Sequence, residues 1–403
     1  MFLELIIALI LGVLIGTITG LIPGIHINLV ALFLLTISAA LLQFFPPISL
    51  IIFIASLSIT HIFIDFIPTI FLGAPNEDTS LSILPGHEML IAGQGYEAVI
   101  LSTLGALIGT VLLIPLIPLF IIFLPTIYPY VQRIIPLILI LIILTMVFFE
   151  KNKILTLLII LLSGFLGYAS LNLDLKDPLL PLLTGLFGSS SLITSISQKT
   201  FIPKQEIISM KKILEKTKMS SFIKCIFASL IASPLCSFLP ALGSSQASVV
   251  GSYVIGKISK KEFLVLIGIV STLVMSLSFV TLYSINKSRT GSAVAISKLI
   301  PLLSESDLAL IILFIMISAV FSFAISIFIA KYFSKIITKI SYTKLSLFIL
   351  IFLTVIIMSF SGIIGLVIYI TSTALGISCI LLGVKRTSLM GCLLIPTILI
   401  YLF

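Results

Sequence analysis

The chain has 403 residues, of which 60% are hydrophobic and only 9% are charged, with mean hydropathy +1.36. A soluble protein carries roughly a quarter charged residues, so the composition excludes one. It specifies an all-α, multi-pass protein of the cell membrane, surrounded by lipid. The net charge of +9 is gathered as lysines in a few connections, the pattern that orients membrane helices and not a nucleic-acid patch, so no nucleic-acid partner is expected.

Residues 1–20 lack a basic n-region, so no cleavable signal is expected. They run into Gly20-Leu-Ile-Pro-Gly-Ile-His-Ile-Asn28, which puts Pro23, Gly24, His26 and Asn28 inside hydrocarbon. Irregular backbone is tolerated at that depth only where protein or a water-filled cavity covers it. Proline pre-sets the start of a helix, whose free N–H groups form a partial positive charge. The stretch therefore predicts a half-helix aimed at a site near mid-membrane. Phe238-Leu-Pro-Ala-Leu-Gly-Ser-Ser-Gln246 repeats the plan, its Pro240 standing half a chain length beyond Pro23.

About ten full crossings are expected, near 48–66, 96–124, 134–149, 154–172, 178–196, 263–285, 306–330, 345–359, 362–383 and 387–402. Seven lysines mark 197–224 as a cytoplasmic connection. Lys151 and Lys153, Lys257 to Lys261, Lys331 to Lys344, and Lys385 with Arg386 also lie inside, while Asp174 and Asp177 lie outside. The interval from Lys224 to Lys257 is too short for two crossings of about 20 residues each, so 225–256 reads as a re-entrant hairpin. The same reasoning puts Met1 outside, makes 1–43 a second hairpin, and inverts one half relative to the other. Two inverted-topology repeats with broken helices follow: a first repeat at 1–197, a basic linker at 198–223, and a second repeat at 224–403. Such repeats are the signature of a secondary transporter with its site at the repeat interface.

Each half carries a second motif after its first full crossing. In the first it is Gly73-Ala-Pro-Asn-Glu-Asp78 through Leu84-Pro-Gly-His-Glu88 to Gly93-Gln-Gly-Tyr96. In the second it is Tyr283-Ser-Ile-Asn-Lys-Ser-Arg-Thr-Gly291. Substrate contacts are expected from Pro23, Gly24, His26, Asn28, Pro75, Asn76, Gly243, Ser244, Ser245, Gln246, Asn286, Lys287 and Arg289, because helix N-termini and an arginine fork suit an anion. Simple capping by Ser244 to Gln246 is the plainer alternative. Buried ionisable groups in membranes are functional by default, so His61, Asp65, Glu77, Asp78 and His87 are the candidates for coupling Na⁺ or H⁺. His61 and Asp65, four apart, share a helix face. No zinc-ligand spacing is present, and Cys225, Cys236, Cys379 and Cys392 stand singly as packing residues. No cofactor or metal is expected. Gly12, Gly16 and Gly20 form a small-residue stripe for helix packing.

The motifs Gly20-Leu-Ile-Pro-Gly24, Gly73-Ala-Pro75, Leu84-Pro-Gly86, Gly93-Gln-Gly-Tyr96 and Leu180-Pro-Leu-Leu-Thr-Gly-Leu-Phe187 resemble the large membrane subunit of the tripartite tricarboxylate transporter family, in its shorter archaeal form. The resemblance implies a permease working with a small membrane subunit and an extracellular binding protein. The second tip departs from the family's Pro-Gly, reading Pro240-Ala-Leu-Gly243.

The reading that combines these features is a carrier, not an enzyme. It moves a small anionic solute of the di- or tricarboxylate kind by alternating access, with a homodimer as one assembly open to it. A translocase of polyprenyl (lipid) phosphate is the rival on the same architecture. An intramembrane metal-dependent hydrolase built on His26, His61, Asp65 and His87 is the rival from another class.

Overall fold

Long apolar stretches form helices because the bilayer offers the backbone no hydrogen-bond partners other than its own. In the computed structural model the described residues are all except 1, 24–26, 28–29, 32–33, 35–37, 39–40, 74–78, 149, 176–177, 198–201, 239–242, 257, 288–289, 340 and 403; the side chains of 80, 84, 235, 238 and 342 are also left aside. The first half contains α1 (Phe2–Leu21), α2 (Pro47–Leu72), a 3-10 turn (Ser80–Ser82), α3 (Ile83–Ile91), α4 (Gly95–Phe148), α5 (Lys153–Leu171) and α6 (Leu179–Ser197). After α7 (Met210–Lys216) come α8 (Met219–Phe238), α9 (Ser244–Ile255), α10 (Lys260–Ile285), α11 (Gly291–Leu299), α12 (Glu305–Ile336), α13 (Tyr342–Leu381), a 3-10 turn (Arg386–Met390) and α14 (Gly391–Leu402).

Ion pairs define one charged face. Lys260 pairs with Glu88, Lys261 with Glu97, and Lys385 with Glu150. Helix α4 starts at Glu97 on this face and follows α10 in parallel until Ser284 donates to the Phe120 carbonyl near the opposite face. The chain is back at the charged face by Glu150. The 54 residues of α4, about 80 Å of helix, therefore make two crossings. The reversal falls in the stretch bearing Pro115, Pro118, Pro125 and Pro129. Helix α13 likewise doubles back, at Gly362, whose φ of 60° and ψ of −158° are not helical. Eight helices are long and apolar enough to span. Setting aside α1, an arm of the 1–43 hairpin, the other seven with α4 and α13 each counted twice, plus the shorter Arg386–Leu402 segment, give the ten expected crossings.

The re-entrant expectation for 225–256 also matches. The Cys225 thiol donates to the Glu262 carbonyl at the start of α10, so α8 begins at the charged face. Helix α9 packs back on α8 at Gly251, Ala228 and Ala232, and ends just before Lys260. Its 12 residues, about 18 Å, are too few to cross. The tip at 239–242 lies outside the described residues, as does most of the second arm of the 1–43 hairpin. Helix α1 runs parallel to α2: Gly12 meets Phe53 and Ser56, Gly16 meets Leu57 and Thr60, and Gly20 meets His61 and Ile64. A Cβ on Gly16 would stand 2.6 Å from the Leu57 carbonyl oxygen, so the stripe sets how closely the two helices approach. This places Phe2 on the face opposite the lysines, as the charge pattern predicts.

The two halves share one element order. Helices α1 and α8 both have 20 residues, α2 and α10 both 26, and α3 and α11 both 9. Both 26-residue helices end on a left-handed residue, Gly73 (φ 64°) and Asn286 (φ 50°). Helix α2 ends where α10 begins, at the charged face, so the two run in opposite directions.

The basic connection after α6 is anchored at one point: Gln205 is buried and docks onto the first half. Its Nε2 donates to the Leu90 carbonyl, its Oε1 accepts from Gly95 N–H, and Glu206 N–H donates to the Gly93 carbonyl. The physical reason is the start of α4. Its first N–H groups have no partner within the helix, and Gln205 supplies one.

Candidate functional site

Helices α2 and α10 are almost wholly buried, so a polar side chain on either must find partners inside protein. On α2, His61 Nδ1 lies 3.1 Å from Thr19 Oγ1 of α1. Four residues on, Asp65 Oδ2 accepts a 2.7 Å hydrogen bond from Thr79, whose hydroxyl is also 3.0 Å from Thr69 Oγ1. Thr79 belongs to the segment that re-enters after α2, just before the Ser80–Ser82 turn. In the second half Ser278 on α10 bonds Thr290 at 2.9 Å, and Thr290 caps α11 by accepting from Ala293 N–H. Ser58 of α2 and Ser292 of α11, with hydroxyls 2.6 Å apart, tie the halves together. The Ser80–Ser82 turn rests on α9 and α10, while α11 rests on α2. Each half thus inserts its re-entrant segment against the long helix of the other.

The start of α9 completes this polar centre. Capping by Ser244 to Gln246 is not what forms. The N-cap is Gly243, with no side-chain oxygen to offer, and Ser244, Ser245 and Gln246 occupy the first turn. All three are buried, and among the described residues Gln246, 2% exposed, has a partner for neither Oε1 nor Nε2. An amide left unsatisfied in a protein interior costs about 1–3 kcal/mol, which makes Gln246 a candidate ligand contact.

Of the other expected site residues, Pro23 is half-buried at the end of α1. Asn286 and Lys287 are exposed where α10 ends, Asn286 serving as its left-handed C-cap. His87 on α3 lies at the charged face, 3.3 Å from Ser195 of α6. Burial, then the nearby Arg386 cation, push its pKa down to about 4. Gly24, His26, Asn28, Pro75, Asn76, Glu77, Asp78 and Arg289 lie outside the described residues. Among the described residues, no three His, Cys, Asp or Glu side chains are grouped to hold a metal. His61 and His87, needed together for the hydrolase reading, have separate partners in Thr19 and Ser195.

Sequence reasoning missed Arg386, which serves there only as an orientation marker. The side chain is 6% exposed and reaches into α6. Its Nη2 donates to the Leu186 and Phe187 carbonyls and to Ser190 Oγ, and Nη1 donates to Ser191 Oγ. The two carbonyls lie in a π-helical stretch, Thr184–Ser189, within α6, and the two serines follow it. Such stretches shift the backbone register and are frequent at functional sites.

Comparison with known proteins now decides the family. The tripartite tricarboxylate transporter TctA family matches residues 6–391, nearly the whole chain. The chain belongs to that family. It is also 33% identical over 398 residues to Uncharacterized protein MJ1079 of Methanocaldococcus jannaschii, with 94% of each chain covered. No solved structure matches. As a TctA-family member with several helices long and apolar enough to span, the protein is a multi-pass membrane permease, and its family points to a transporter.

Proposed function

We propose that this TctA-family protein carries a di- or tricarboxylate across the membrane by alternating access between its two inverted halves, coupled to Na⁺ or H⁺. Gln246 carries the reading: a buried amide with no partner, in the first turn of a half-helix. Helix N-termini attract anions through their free N–H groups and dipole. The amide Nε2 adds a neutral donor beside them. Asp65 and His61, deep in α2, are the groups for the coupling cation or proton. The word tripartite in the family's name supports two further subunits, a small membrane protein and an extracellular binding protein that delivers the solute.

The test begins with thermal stabilisation of the detergent-purified protein by citrate and simpler dicarboxylates, each with and without Na⁺ and at two pH values. Ligands that bind the folded state raise its apparent stability by mass action. Gln246→Leu keeps the volume and removes the unsatisfied amide. Its melting temperature is expected to hold or rise, while citrate uptake into proteoliposomes drops about tenfold, the loss of one hydrogen bond of ordinary strength. Stabilisation by polyprenyl phosphate alone, or full uptake by Gln246→Leu, overturns the assignment.

A further inference from the structure

A guanidinium removed from water is retained where an anion or a full set of acceptors meets it, and Arg386 has neither. No carboxylate pairs with it among the described residues. Its Nε, buried, has no acceptor, and Nη1 has one acceptor for two hydrogens. The Phe187 ring, 5.5 Å from the guanidinium carbon, offers a weak electrostatic attraction that does not cancel the charge.

Beside Arg386 lies a cavity of about 250 Å³ on the charged face. Lys260 and Lys385 also line it, but each is paired with an acid, Glu88 and Glu150. The unmatched charge is therefore that of Arg386. The remaining wall is mainly apolar, including Leu81, Pro85, Phe187 and Phe263. The volume falls below the roughly 300–1,000 Å³ of drug-sized sites, which suits a small solute. The walls come from both halves: Leu81 and Pro85 from the first-half re-entrant segment, Phe263 and Arg386 from the second half. Leu81 is two residues from Thr79, the partner of Asp65. The cavity thus adjoins the polar centre on its charged side.

We propose that this cavity is an inner anion station, where a carboxylate of the transported solute binds beside the under-satisfied guanidinium of Arg386, between the polar centre and the lysine-rich side. The proposal rests on the anion-carrier reading above. It assigns to Arg386 a substrate contact that complements the half-helix at Gln246, so that the solute meets fixed donors at both depths.

The test uses Thr387→Cys, because Thr387 lines the cavity and is half-buried, whereas the native cysteines are all buried. The full-length variant, in proteoliposomes or detergent, is treated with an anionic or a cationic methanethiosulfonate reagent, with and without citrate. The expected result is modification at least tenfold faster by the anionic reagent, slowed by millimolar citrate and not by sodium chloride of equal ionic strength. Equal rates for the two reagents, no reaction, or no protection by citrate overturns the station. Citrate uptake by the unmodified protein separates the two ideas. Protection without uptake keeps the station and removes the carrier reading, and uptake without protection does the reverse.

Discussion

The two halves of this permease match in architecture and differ in chemistry. Asp65 and Ser278 each stand seven residues before the last residue of a 26-residue helix, and each bonds a threonine of the segment that follows, Thr79 or Thr290. His61 on α2 has Val274 in the same place on α10. His87, fifth of nine residues in α3, has Ala295 as fifth of nine in α11. The repeat therefore fixes where the backbone breaks, and the side chains at equivalent places decide what each half does. In the first half these places hold titratable groups, and in the second they hold neutral ones. If the coupling cation or proton binds at Asp65 and His61, as proposed, that task falls to the first half alone.

The largest expected effect breaks that asymmetry. Asp65→Asn preserves an acceptor for Thr79 and removes the charge. Citrate uptake should fall about a hundredfold, the lower range for losing an essential proton- or charge-handling group. Ser278→Ala, the equivalent change in the second half, should leave uptake within about threefold, since it removes one neutral hydrogen bond. Equal losses from the two substitutions would show that the halves share the coupling role.

A second comparison concerns the two seams that join the halves. Helices α4 and α10 meet through glycines: a Cβ on Gly105 would lie 2.2 Å from the Val265 carbonyl oxygen. Gly105→Val must push the helices apart, and overpacking costs about 3 kcal/mol at its upper range. The change should therefore lower thermal stability strongly, as read by unfolding in mixed micelles. Unchanged stability there would mean that the seam is loose.

Acid stability sharpens the contrast between α3 and α11. The pKa of His87 is held at about 4, below the ordinary 6.5, by burial and then by Arg386, with Glu88 opposing. Between those values the unfolded chain binds a proton that the folded one refuses. The contribution is intact above pH 6.5 and is lost as pH falls toward 4, by no more than about 3 kcal/mol. His87→Gln should flatten this part of the pH–stability profile, whereas no equivalent group exists at Ala295. A variant with an unchanged acid limb would place the lost stability on other groups.

Much of this arrangement was legible from polarity alone. Lysine spacing located the hairpin at 225–256, because a charge at each end and too little chain between them for two crossings permit only a re-entrant path. The tips that the paired Pro and Gly interruptions point to, near Pro23–Asn28 and Pro240–Gly243, lie mostly outside the described residues. What polarity does not encode is which group satisfies which backbone donor. For that reason the docking of Gln205 on Gly95 and the bare Gly243 cap were not foreseen. The burial of Arg386 was hidden for a related reason. A cation next to a lysine reads as a surface marker, and only the packing of the Arg386–Met390 turn on α5 turns the side chain inward, onto α6.

The smallest effect lies at the seam between α2 and α12, where hydroxyls take the place of glycines. Ser322 donates to Thr60 Oγ1 at 2.8 Å, and Ser326 Oγ lies 3.3 Å from the Phe63 carbonyl. Each hydroxyl of the first pair also has an acceptor in its own helix, Ser318 for Ser322 and Ser56 for Thr60. Breaking the bond between the helices thus strands no buried donor. Hydrogen bonds between membrane helices average about 0.6 kcal/mol in double-mutant cycles, and Thr60→Val with Ser322→Ala should show a coupling of that size. A coupling well above about 1.7 kcal/mol, the largest typical value, would mean that hydroxyls hold this seam as firmly as close backbone contact holds the other. The two halves would then be joined equally on both sides, and a movement between them would have no weaker seam at which to begin.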